Sequence, residues 1–154
     1  MSTKRKTIVV VEDEPSVLSV IERLLKKVGY DVLPFAHPHL AREYFRNAVR
    51  PPALLITDIM LPGMSGFELC DAAREEHVTL PVLFISGYPL ESLPASHATL
   101  PEVSCLVTKP FGLNVLRDAV EDLMAGRTVR GAEAFDPDIP LVGTDSVARQ
   151  MRVG

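Results

Sequence analysis

The stretch "LLITDIMLPGMSGFE", residues 54–68, decides the fold. Leu54, Leu55, Ile56 and Thr57 make an apolar, β-favouring run that stops on a carboxylate, Asp58. A run without polar alternation suits a strand covered on both faces, as in a parallel sheet. Pro62-Gly63 then breaks the chain, and Ser65 with Glu68 forms an S-x-x-E capping box, so a helix starts at once. The unit is a strand, a loop that leaves an acid reachable at the strand tip, and a helix.

Working outward, the same unit recurs. "TIVVVED" (7–13) is a β-branched strand, and Pro15 suits a first helical position. Val17, Val20, Ile21, Leu24, Leu25 and Val28 follow at helical spacing until Gly29 supplies the stop. "DVLPF" (31–35) reads as a short strand whose Pro34 places it near the sheet edge. "PHLAREYFRNAV" (38–49) puts Leu40, Ala41, Tyr44, Phe45 and Ala48 on one helical stripe. "PVLFIS" (81–86) and "VSCLVTKP" (103–110) are the fourth and fifth strands, and Leu113, Leu116, Val120 and Leu123 stripe a last helix from about 112 to 125. Strands alternating with helices imply an α/β fold, a doubly wound five-stranded parallel sheet with helices on both faces.

Between Ser86 and Val103, Pro89, Pro94 and Pro101 predict a short or irregular fourth helix. Residues 1–125 form the domain. Residues 126–154, richer in glycine and with balanced charge, read as a linker or C-terminal extension with a short helix capped by Thr144 or Asp145.

Composition narrows the functional classes. The 154 residues are 47% hydrophobic with net charge −4, which suits one domain plus an extension and gives no sign of a nucleic-acid partner. No run approaches the roughly 20 apolar residues of a membrane span, and Ile8–Val11 is too short for a signal-peptide core. Cys70 and Cys105 lack metal-ligand spacing, which points to reduced thiols in a cytoplasmic protein. The four histidines, His37, His39, His77 and His97, read as solvated loop residues.

In an open parallel sheet, ligands bind beyond the carboxyl ends of the strands. Those ends carry Glu12-Asp13, Asp58, Ser86 and Lys109-Pro110. Three carboxylates brought together repel, and a hard divalent cation with oxygen ligands, Mg²⁺ above all, compensates them. With Lys109 the charges balance, and such a site can accept a phosphoryl group, a reaction that needs mainly positioning and electrostatics. Asp58 is then the nucleophile and forms an acyl phosphate.

"VVVEDEPSV", "ITDIMLPGMSGFEL", "PVLFISGYP" and "VTKPF", in this order and spacing, resemble the receiver domain of two-component response regulators over residues 6–125. The resemblance implies a flavodoxin-like sheet of strand order 2-1-3-4-5 and a cis Lys109-Pro110 bond. It implies that Asp58 is the phospho-acceptor and that Asp13 and Asp58 ligate Mg²⁺ directly. Glu12 would assist through water, with the Met60 backbone carbonyl as a further ligand. Ser86 and Lys109 would meet the phosphoryl group, with Gly87 letting the loop close. The implied partner is a sensor histidine kinase or a phosphotransfer protein, the implied activity that of a switch rather than a turnover enzyme, and a homodimer is admitted. Tyr88, two residues beyond Ser86, is expected over the site entrance, where it would shield the acyl phosphate from water.

Two departures bear on the readout. Leu106 stands where the family usually has tyrosine or phenylalanine, and the usual Gly-Ala ahead of strand 5 is replaced within "PEVSC" (101–105). They keep alive a receiver-fold docking module with little phosphorylation-dependent switching. A nucleotide or flavin module is disfavoured because "VEDEPS" (11–16) has acids where a phosphate cradle needs glycines. An aspartate-nucleophile phosphohydrolase is disfavoured because Met60 stands where such enzymes usually carry a second acid. "IPLVGTDSVARQMR" (139–152) resembles the opening of the AAA+ domain of enhancer-binding activators, while a stand-alone receiver or one from a hybrid kinase fits as well.

Overall fold

The computed structural model describes residues 5–88, 103–126 and 141–142. Five parallel strands, β1 (Thr7–Val11), β2 (Asp31–Phe35), β3 (Leu54–Asp58), β4 (Val82–Ser86) and β5 (Ser104–Thr108), form one sheet. Its order is β2-β1-β3-β4-β5, as the resemblance implies. Among the described residues the helices are α1 (Pro15–Val28), α2 (Pro38–Asn47), α3 (Gly66–Glu76) and α4 (Leu113–Met124).

The apolar runs divide between the sheet's faces with period two, because successive strand side chains point opposite ways. Ile8 and Val10, Leu54 and Ile56, Leu83 and Ile85, and Cys105 and Val107 pack with the buried stripes of α1 and α4. Val9 and Val11, Leu55, Val82 and Phe84, and Leu106 pack with Ala41 and Phe45 of α2 and with Phe67, Leu69, Cys70 and Ala73 of α3. Both faces are therefore covered, and β1, β3 and β4 have no polar face.

Local sequence sets the boundaries. Gly29 ends α1 in the left-handed region at φ 118°, with its N–H bonded to the carbonyls of Leu25 and Lys26. Ser65 caps α3, accepting from the Glu68 N–H at 3.1 Å. Pro34 lies in edge strand β2, where a missing donor is tolerated.

Some expectations need correction. Leu40, assigned to the buried stripe of α2, is 57% exposed; the buried face is carried by Pro38, Ala41 and Phe45. His77 is the C-cap of α3 rather than a solvated loop residue, half-buried with its ring 6.0 Å from that of Phe45. The tail, read as linker, contributes a two-residue strand: β7 (Leu141–Val142) pairs antiparallel with β6 (Phe111–Gly112). The irregular fourth helix, His97 and the helix capped at 144–145 lie outside the described residues.

The sheet's amino end is tied by Arg74. Its guanidinium donates to the Leu80 carbonyl at 2.9 and 3.1 Å and to the Val103 carbonyl at 3.2 Å. Val103 itself is strained. It holds φ 52°, a region that costs a residue with a Cβ roughly 1–2 kcal/mol. Because it is 54% exposed, replacing it removes little buried surface. Val103→Asn is expected to raise stability by about 1 kcal/mol, read as a higher urea midpoint at unchanged slope.

Cys70 and Cys105 are fully buried, and burial pushes their thiols from the ordinary 9.0 up to about 11 and about 12. A folded-state pKa above the unfolded one favours the fold below pH 9 and loses that contribution as pH climbs through 11–12. At pH 8 neither thiol is expected to react with an aromatic disulfide reagent faster than the chain unfolds, and both react in denaturant.

Candidate functional site

The rim at the carboxyl ends of β1, β3, β4 and β5 gathers the expected residues. Asp58, the last residue of β3, is 5% exposed. It is fixed from two sides: Oδ1 accepts from the Met60 N–H at 2.9 Å, and Oδ2 accepts from Lys109 Nζ at 2.7 Å. Glu12, just past β1, is wholly buried, whereas Asp13 beside it is exposed. Glu12, Asp13 and Asp58 each offer an oxygen within 4.8 Å of the others. Ser86 ends β4 fully buried. Its carbonyl accepts from the Lys109 N–H at 2.7 Å, and its Oγ accepts from the Tyr88 N–H at 2.9 Å.

Lys109 follows β5 and is only 7% exposed, so it is an internal cation rather than a surface charge. The Lys109-Pro110 bond is cis, as the resemblance implies. Besides Asp58, the ammonium pairs with Glu12 Oε2 at 3.2 Å and with Glu14 Oε1 at 3.6 Å. Met60 is 57% exposed. Tyr88 is half-buried beside Ser86.

The electrostatics show a site with surplus negative charge. Burial drives the Glu12 carboxyl well above the usual carboxylate range, the Asp58 charge drives it further, and Lys109 only partly offsets them. At Lys109, burial alone would favour the neutral amine, but Asp58 and Glu12 outweigh it and hold the group above the ordinary lysine value. The ammonium therefore persists at neutral pH. Glu12 Oε2 is buried, and its partner is the Lys109 ammonium at 3.2 Å. Three acids drawn together around one buried cation fit a hard divalent cation with oxygen ligands.

Two features were missed from sequence. Gly66 opens α3 so close to β3 that a Cβ there would collide with the Asp58 carbonyl oxygen and come within 3.0 Å of Ile59 Cα. Glu14 reaches Lys109, and the only sequence signal was its being a further acid next to the Glu12-Asp13 pair.

The fold and rim define the class first: a flavodoxin-like α/β domain whose carboxyl edge is lined by acids around one buried lysine. The chain belongs to the response regulator receiver domain family, whose model matches residues 8–121. It is 34% identical over 120 residues to the response regulator receiver protein CpdR of Brucella abortus, covering 77% of this chain and 97% of CpdR. It is 29% identical over 152 residues to the nitrogen assimilation regulatory protein NtrX of Azorhizobium caulinodans, covering 94% of this chain but 33% of that longer protein. Among solved structures, the receiver domain of the hybrid histidine kinase CckA matches with TM-score 0.65 and 34% identity, covering 77% of this chain and 98% of that one. The response regulator TrrA of Thermotoga maritima, in complex with Mg²⁺ and beryllofluoride, matches with TM-score 0.64 and 27% identity, covering 77% and 98%.

Proposed function

We propose that this chain is a phospho-accepting receiver: Asp58 takes a phosphoryl group from a histidine kinase or a histidine phosphotransfer protein, and the new charge alters what the domain binds. The observation that carries this reading is Asp58 itself, pinned at the tip of β3 between the Met60 N–H and the Lys109 ammonium, with two further acids alongside. Glu12, Asp13 and Asp58, with the Met60 carbonyl, would hold Mg²⁺, which when bound offsets the charge of the phosphoryl oxygens. Asp58 presents its carboxylate for in-line attack; its bond to phosphorus forms as the phosphorus–nitrogen bond of the donor histidine breaks. Lys109 pairs with the transferred group's oxygens. The Ser86 hydroxyl, already accepting from Tyr88, keeps its proton free to donate to them.

In this reading the protein acts as a cytoplasmic switch that is phosphorylated and loses its phosphate, not as a turnover enzyme. Among the described residues no helix is long and apolar enough to cross a membrane. The receiver occupies residues 1–125. The alignment with NtrX continues past it, which supports reading residues 126–154 as a junction to a further domain. A second reading, a docking module with little switching, is favoured by the buried aliphatic Leu106. One experiment addresses both. Intact-mass measurement after acetyl phosphate treatment is expected to show one added phosphoryl group with Mg²⁺ and none with a chelator. No uptake in Mg²⁺ would refute the phospho-acceptor, whereas uptake without any change in size or shape on adding beryllofluoride would support the docking module.

A further inference from the structure

Lys109 answers to three carboxylates, and one of them, Glu14, is not part of the acid trio. The Lys109 side chain is 4% exposed, while that of Glu14 is 36% exposed, so Glu14 brings a solvent-reached charge to the buried cation. Its backbone is held on both sides. The Glu14 N–H donates to Glu12 Oε1 at 3.1 Å, and the next residue, Pro15, begins α1 with φ fixed by its ring. From that fixed point Oε1 lies 3.6 Å from Lys109 Nζ, which is itself 2.7 Å from Asp58 Oδ2. The Glu14 and Asp58 oxygens are therefore no farther apart than the sum of those two separations.

We infer that Glu14 is a charge gate at the mouth of the site: it biases phosphoryl transfer to Asp58 against small, highly anionic donors. The inference rests on Asp58 being the phospho-acceptor. An incoming phosphoryl group must take the Lys109 ammonium as its counter-ion, and Glu14 competes for that same cation while repelling the donor. The penalty grows with donor charge. Acetyl phosphate arrives as a dianion; its P–O bond breaks as the Asp58–phosphorus bond forms, and acetate leaves with the electron pair. Phosphoramidate arrives as a zwitterion of net single negative charge; its P–N bond breaks, and ammonia leaves with the pair. The gate therefore slows acetyl phosphate more. A protein donor, whose phosphohistidine comes embedded in a larger surface, is not judged by its phosphoryl charge alone.

The test compares initial rates of Asp58 phosphorylation by the two small donors in the full chain with Mg²⁺. Glu14→Gln is expected to speed labelling about threefold with phosphoramidate and roughly tenfold with acetyl phosphate at low salt, both factors shrinking as salt rises. Glu14→Asp, which keeps the charge, is expected to retain the wild-type ratio between donors. A Glu14→Gln factor that is equal for both donors and indifferent to salt overturns the gate and leaves the phospho-acceptor standing. Absence of labelling by either donor in the wild type overturns both.

Discussion

An Asp58→Asn protein is expected to take up no phosphoryl group from acetyl phosphate in Mg²⁺, a loss of more than about a hundredfold in labelling, while remaining folded. The carboxamide has the shape of the acid but no nucleophilic oxygen. The other acids are no substitutes, since Glu12 is sealed in the interior and Asp13 and Glu14 belong to the outer part of the rim. Stability is expected to move by less than about 1 kcal/mol without metal, because two effects oppose. Lys109 loses its shortest anionic partner at 2.7 Å, but Glu12 loses the neighbouring charge that helps push its carboxyl up. Intact-mass labelling beside a denaturant melt separates these quantities. Full labelling of the Asn protein would remove Asp58 from its assigned role. Loss of labelling together with unfolding would mean that the side chain is structural.

Gly66→Ala is expected to destabilise the domain by about 3 kcal/mol, the upper part of the range for overpacking, and to slow phosphorylation in the molecules that stay folded. Two effects again compete. Alanine favours helix over glycine by about 1 kcal/mol, which would help the first turn of α3. The added methyl, however, meets the backbone of Asp58 and Ile59, and backbone cannot swing aside as a side-chain tip can. The Gly66 N–H is also bonded to the Ile59 carbonyl at 2.8 Å, so α3 cannot back away without breaking that tie. The clash wins. Relief must come from shifting the end of β3, and Asp58 moves with it. A thermal melt is expected to fall by on the order of 10 °C. A variant as stable as the parent would show that the close approach is dispensable.

Much of this is legible in the sequence. β1, β3 and β4 announced themselves as unbroken apolar runs because a doubly covered strand has no polar face to disguise it. Gly29 and Ser65 marked helix boundaries by their own chemistry, a tolerated positive φ in one and a side-chain acceptor in the other. The acids at the strand ends were legible because topology alone brings those ends together.

What escaped depended on neighbours far along the chain. Leu40 sits at a helical spacing that suits burial, but whether a flank of the stripe is covered is decided by which helix packs there. The depth of Lys109 followed from three acids drawn from two other segments, which no window around position 109 contains. The pairing of Phe111–Gly112 with Leu141–Val142 joins segments separated by α4, and two residues carry no periodicity to read. Gly66 looked like an ordinary residue of a capped helix, because a close approach between backbones leaves no trace in composition.

The interior position of Leu106 limits what β5 can do as a moving part. It is 5% exposed, on the face it shares with Phe84 and Phe67. A phenol at such a position could trade the interior for water with modest loss, since one end of the ring welcomes solvent. An isobutyl group has no such end, and turning it outward forfeits about 2 kcal/mol. Residue 106 is therefore ballast rather than a rotor, and in the proposed receiver a readout from Asp58 would draw on other parts of the domain than this side chain.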